Sequence, residues 1–239
     1  MISKSQIIKY LSEDMVRNIN MINFIDQYPI HSQEQVGDSY LIRGSSDHRW
    51  VYISSEDTSE FEELITVLDD EDQYFAIMED WMLPYLLEGK ELDWQLSCVK
   101  LYFPENKRLP EPNPETNIRE LGPEHAEYIF NHSKYSDFTS VEYILERINL
   151  GRALGIFEDE RLVAWLMTHD DGAIGFLHVL PDYRGRGYAQ DITYEMIKGL
   201  REANQLPFLH IEEDNTPSMN LALKTGFIKD RRIHWFKRN

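Results

Sequence analysis

The chain has 239 residues, 24 Lys plus Arg against 42 Asp plus Glu, and a formal net charge of −18. That length holds one large domain or two modest ones, and 42% hydrophobic with 12% aromatic residues excludes global disorder. The acidity excludes phosphate backbones and anionic membrane surfaces as general partners, and a single cysteine, Cys98, excludes an intramolecular disulfide or a cysteine zinc cluster and fits a reducing cytoplasm.

In chain order, the first residues lack the continuous apolar stretch of a signal peptide. Ile7, Ile8, Leu11, Met15, Ile19, Ile22 and Phe24–Ile25 recur near a 3.6 period and predict helix over 3–28. Tyr40–Arg43 and Trp50–Ser54 read as strands around the turn signal Gly44–Asp47. A helix is expected over Phe61–Leu68, then strands at Tyr74–Met78 and Trp94–Phe103. The apolar run Trp81–Leu87 contains Pro84 and is far shorter than the ~20 residues of a membrane span. Four prolines between Pro104 and Pro114 predict a semi-extended linker, with domains at 1–115 and 116–239. Charge divides in the same way: residues 1–120 carry 10 basic and 24 acidic side chains, residues 121–239 carry 14 and 18.

Beyond the linker, Asn117–Leu121 reads as a strand, and Pro123–His132 and Ser140–Asn149 as helices. Arg152–Glu158, Arg161–Thr168 and Ala173–Leu180, separated by acidic turns, predict an antiparallel meander. Ile192, Met196 and Leu200 mark an amphipathic helix from Tyr188 to about Asn204. Phe208–Glu212 is a strand, Thr216–Pro217 a helix start with Thr216 as N-cap, Gly226 its stop, and Phe227–Lys237 one or two final strands.

Chemistry concentrates in Val179-Leu-Pro-Asp-Tyr-Arg184-Gly-Arg-Gly187-Tyr-Ala189. A buried strand enters a glycine-rich loop that opens directly into a helix. Glycines let backbone N–H groups approach phosphate oxygens, and the helix N-terminus adds orphan donors and partial positive charge. Arg184 and Arg186 supply local countercharge in an acidic protein. The dinucleotide fingerprint fails because its last glycine is replaced by Gln190, and no Walker Gly-Lys-Ser/Thr is present. Taken alone, such a loop also fits an ordinary strand–helix turn.

Arg184-x-x-Gly187-x-Ala189 matches the Q/R-x-x-G-x-G/A signature of the GNAT superfamily of acyl-CoA-dependent N-acyltransferases, and Asn215 through Gly226-Phe227 resembles its second motif. The stretch Val163–Gly187 looks most like the C-terminal domain of glycine N-acyltransferases and their bacterial relatives, which also place an extra domain in front. The resemblance covers residues 117–239. It implies an α/β (α+β) fold: a mixed, twisted sheet splayed between two central strands, preceded by a smaller α/β domain. It also implies acetyl-CoA or another acyl-CoA as cosubstrate. Pantetheine would bond along His178, Val179 and Leu180, the pyrophosphate would sit on the amides of Gly185, Arg186, Gly187, Tyr188 and Ala189, and Asn215 and Ser218 would flank the arm.

Two family side chains are missing. The position of the usual glutamate base holds Ala173, and that of the usual tyrosine acid holds Ala222. Substitutes come from chemistry: His178 on the same strand and Glu212 at the end of its neighbour. A packed histidine and a surface carboxylate are the plain alternatives for these two. Trp165 and His169 line the acceptor pocket or serve as a core residue and a turn residue. His125, His132, His210 and His234 lack ligand spacing, so no metal is expected. The expected activity is transfer of an acyl group, acetyl first, to a primary amine of a small molecule. The competing expectations are a non-catalytic acyl-CoA-binding module and a protein amine acetyltransferase.

Overall fold

The computed structural model describes residues 3–133 and 139–239. Over those residues the protein is α/β, with eight α-helices and eleven strands in mixed parallel and antiparallel pairings. Two compact units form, and neither is one continuous stretch of chain. The first comprises Met1–Lys100, Ile211–Asp214 and Asp230–Asn239; the second comprises Leu101–His210 and Asn215–Lys229.

In the first unit the apolar period over 3–28 is carried by two helices, α1 (Lys4–Leu11) and α2 (Met15–Gln27), not one. The break has a local cause. The Ser12 hydroxyl donates to the Ile8 carbonyl and ends α1, a single 3₁₀ turn follows, and the Asp14 carboxylate accepts the Arg17 N–H to start α2. The strands are β1 (Ile30–Val36), β2 (Ser39–Ser45), β3 (Arg49–Ser54), β4 (Tyr74–Glu79), β5 (Leu92–Tyr102) and β11 (Ile228–Arg238), in the order β1-β2-β3-β4-β11-β5. β1 was not expected. It is a polar edge strand with no fully buried residue, so it shows no hydrophobic alternation. Helices α3 (Thr58–Ile65) and α4 (Leu83–Leu86) complete the unit. Alternate residues of β2 serve two cores: Tyr40 and Ile42 meet Leu11, Phe24 and Ile25 of the first helices. Leu41 joins Phe61, Leu64, Phe75 and Phe236 on the other side.

The second unit contains β6 (Ile118–Glu120), α5 (Ala126–Asn131), α6 (Val141–Leu150), β7 (Ala153–Glu158), β8 (Arg161–Thr168), β9 (Ile174–Val179), α7 (Tyr188–Glu202), the start of β10 (Phe208–Glu212) and α8 (Thr216–Thr225). Its strand order is β10-β9-β8-β7-β6. β6 to β9 form the expected antiparallel meander, and β10 pairs with β9 in parallel because α7 carries the chain back. The buried stripe of α7 is Ile192, Met196, Ile197 and Leu200. Asn215, not Thr216, is the N-cap of α8: its Oδ1 accepts the Ser218 N–H at 3.2 Å, which places Pro217 one position deeper than expected. Gly226 ends that helix at φ 119°, a left-handed conformation suited to glycine.

The proline-rich segment 104–114 has no helix or strand, yet it is tied down within the second unit. The Arg201 guanidinium on α7 donates to the carbonyls of Pro104, Glu105 and Lys107 at 2.6, 2.9 and 2.9 Å, and lies 4.7 Å from the centre of the buried Phe103 ring. Beyond one turn bond of its own, from the Lys107 N–H to the Pro104 carbonyl at 3.1 Å, the start of the segment is fixed by these three carbonyls on one guanidinium. Arg201→Met is therefore expected to speed tryptic cleavage after Lys107 and Arg108, measured by limited proteolysis against the wild-type protein.

Candidate active site

The site is built on a defect in β9. Its register with β8 runs Thr168↔Ile174 and Met167↔Gly175, then resumes at Trp165↔His178 and Ala164↔Val179. Between the two stretches β8 spends one residue, Leu166, and β9 two, Phe176 and Leu177. This is a β-bulge, and Phe176 takes a left-handed φ of 57°. On the far side of the bulge, the Leu180 N–H donates to the Val163 carbonyl at 2.9 Å. Hydrogen-bonded groups alternate along an antiparallel ladder, so Val179 directs its N–H and C=O away from β8.

β10 is registered on β9 at Leu209↔Ile174 and at no later described residue of β9. From Gly175 onward the edge of β9 that faced β10 is unpaired main chain. The Val179 carbonyl accepts from Arg184 Nε at 3.1 Å, and its N–H points away from β8, to the same side as the β10 edge.

β9 leads through one 3₁₀ turn, Pro181–Tyr183, into the expected loop. Gly185 and Gly187 adopt φ 77° and 88°, and Gly187 is the N-cap of α7 without any side-chain cap. The backbone N–H groups of residues 185–189 donate to no acceptor among the described residues. Five donors therefore cluster at a helix N-terminus with no described acceptor. The two arginines differ. Arg186 is held by the Glu158 carboxylate at 2.9 and 3.2 Å and by the Asp182 carbonyl, and the Tyr188 hydroxyl donates to the same carboxylate. That bond to Glu158 raises the Tyr188 pKa above its ordinary value. Arg184 makes no ion pair among the described residues, so it carries the uncompensated positive charge of the loop.

His178 is stacked flat on buried Trp165, with ring centres 4.5 Å apart and planes 13° apart. Glu212 lies in the first unit, where its charge, after burial, helps push the Cys98 thiol up to about 12. Asn215 and Ser218 are engaged with one another as cap and capped amide. Ala173 and Ala222 are both buried.

A second group of side chains gathers at the start of β9. The His169 ring lies 4.7 Å from Phe176 and against Gly175, and Tyr143 of α6 donates its hydroxyl to Asp170 at 3.1 Å. Asp171 accepts the Ala173 N–H at 3.0 Å and stands 4.0 Å from His210 on β10. Burial lowers the His169 pKa; Arg147 adds to this and Asp171 opposes it. Burial also raises the Tyr143 pKa well above 10. The sequence signal for this group is faint: a His-Asp-Asp turn, with its other members some thirty residues before and forty after. No group of three or more His, Cys, Asp or Glu side chains among the described residues is arranged to hold a metal ion, and no described helix is long and apolar enough to cross a membrane.

Comparison with known proteins bears on this geometry. Residues 153–236 match the family model described as FR47-like protein. No curated protein matches the sequence. Among solved structures, a Drosophila protein superposes with a TM-score of 0.79 at 16% identity, covering 99% of this chain and 96% of its own. A GCN5-related N-acetyltransferase-like protein from Streptococcus suis gives 0.58 at 13% identity, covering 99% and 98%. A GCN5-related N-acetyltransferase from Kribbella flavida gives 0.57 at 11%, covering 93% and 94%. The chain has the mixed α/β fold of these N-acetyltransferase structures, and the family match spans the strands and the glycine loop described above.

Proposed function

We propose that the chain is an acyl-CoA-dependent N-acyltransferase of the GNAT superfamily, related to the glycine N-acyltransferases, which moves an acetyl group to a primary amine of a small molecule. One observation carries the reading: β9 leaves β10 after a single shared position and runs into five undonated amides at the N-terminus of α7. Acyl-CoA supplies the acyl group as a thioester. The unpaired edge of β9 suits a pantetheine arm that bonds as an added strand. The amides of 185–189, with Arg184 beside them, suit a pyrophosphate. The outward Val179 N–H suits a carbonyl of that arm. Asn215 and Ser218 flank the arm, and residues 1–115 serve as a companion region to residues 116–239. A single buried, unpaired thiol suits the cytoplasm, where we place the protein.

A second reading has its own observation. Ala173 and Ala222 are buried and apolar where a base and an acid are expected, which favours an acyl-CoA-binding module without turnover.

Acetyl-CoA at a hundredfold excess over its Kd is expected to stabilise the wild-type protein by about 2.7 kcal/mol, read as a rise in Tm. Gly187→Val forces a β-branched residue to φ 88° at a cost on the order of 1–3 kcal/mol and is expected to abolish that rise. Release of free thiol with an amine panel separates the two readings. A Tm rise with no thiol release from any amine supports the binding module, and no rise at all defeats both. His178→Ala and Glu212→Gln are expected to lower kcat; an unchanged kcat assigns them packing and surface roles.

A further inference from the structure

The turn between β8 and β9 is fixed by its backbone, while its imidazole packs on Phe176 without a hydrogen bond among the described residues. The His169 N–H donates to the Ala173 carbonyl at 2.8 Å. The His169 carbonyl accepts from the Gly172 N–H at 3.0 Å and from Arg147 at 3.2 Å. Neither ring nitrogen has a hydrogen-bond partner among the described residues. The ring sits over Gly175, the first residue of β9 past its last position shared with β10, so it covers the place where the two strands begin to part. A Cβ on residue 175 would lie 2.1 Å from His169 Nε2, which makes glycine there a condition for the ring's position.

We propose that His169 is the general base of the transfer, a role that rests on the transferase reading above. The amine nitrogen bonds to the acyl carbon, and the carbon–sulfur bond breaks with its electron pair leaving on sulfur. The proton shed by nitrogen passes to the free ring nitrogen of His169 and from there to solvent. The surroundings support the assignment by exclusion as well as by position. Tyr143 keeps its proton, because burial raises its pKa, and it occupies Asp170. Asp171 is bound to the Ala173 N–H and faces His210. His169 is neutral near pH 7, because burial and Arg147 together lower its pKa, and Asp171 favours the imidazolium once it forms. The charged and titratable groups around it are thus Asp170 and Asp171 on its own turn, Tyr143, Arg147 and the latter's partner Glu146 on α6, and His210 on β10.

The test is the pH dependence of kcat with a weakly basic amine, in wild type and in His169→Gln, Gly175→Ala, His178→Ala and Glu212→Gln. His169→Gln is expected to lower kcat about 10²–10⁴-fold and to remove the acid limb, whose midpoint lies below the ordinary histidine value of about 6.5. Its acetyl-CoA-induced Tm rise is expected to match that of wild type, which shows that it folds and binds. Gly175→Ala is expected to lose the same limb, and the other two variants to keep it. A His169→Gln enzyme that retains wild-type kcat and the acid limb overturns the base role and leaves the transferase reading intact. So does histidine NMR that finds His169 titrating at or above 6.5. A wild-type protein that binds acetyl-CoA but releases no thiol with any amine overturns the transferase reading and the base role with it.

Discussion

The parting of β9 from β10 is the constraint on which the rest of the site depends. A parallel pair normally spends the facing N–H and C=O groups of both strands on each other. Here they share one register position, Leu209↔Ile174, and the edge of β9 beyond it is unsatisfied by that neighbour. Unpaired main chain is costly to leave dry and ready to accept an extended ligand. The glycine loop sits at the far end of the same edge and the His169 turn at its near end, so one stretch of six strand residues separates the loop's amides from the imidazole.

Electrostatics at the loop is more economical than two arginines suggest. Glu158 takes up Arg186 and the Tyr188 hydroxyl together, which orders the loop but cancels one positive charge. What the loop leaves available to an anion is oriented amides, a helix terminus and Arg184. Such donors are fixed in place before a ligand arrives and need little reorganisation. The net charge of −18 is no obstacle to this, since most of the excess acid lies in the first 120 residues.

Much of this was legible in the sequence, for physical reasons that can be named. Helix α7 begins at Tyr188 as expected, because a left-handed glycine and an apolar stripe of period four mark its start together. The meander was readable from acidic turns between β-rich runs. β1 was not, because Ile30–Val36 is an edge strand of mostly polar residues whose only reason to be extended is its pairing with β2. The division of α1 from α2 was hidden because Ser12 and Asp14 interrupt the backbone without interrupting the apolar period. At the site, the loop could be read because its donors are consecutive. The group around His169 could not, since Tyr143 and His210 reach it only through the topology of α6 and β10.

The bulge at Phe176–Leu177 also acts as a parity switch. Ahead of it, the pair His169–Ala173 is hydrogen-bonded, so in an unbroken ladder every second residue of β9 would be too, and Val179 would fall opposite Val163 with its N–H spent on β8. The one inserted residue shifts the count, puts Leu180 opposite Val163, and turns the Val179 N–H outward. A deletion of a single residue here would preserve the strand and its apolar character while reversing which amides its free edge presents. A frame of hydrogen bonding, rather than any side chain, is what the extra residue encodes.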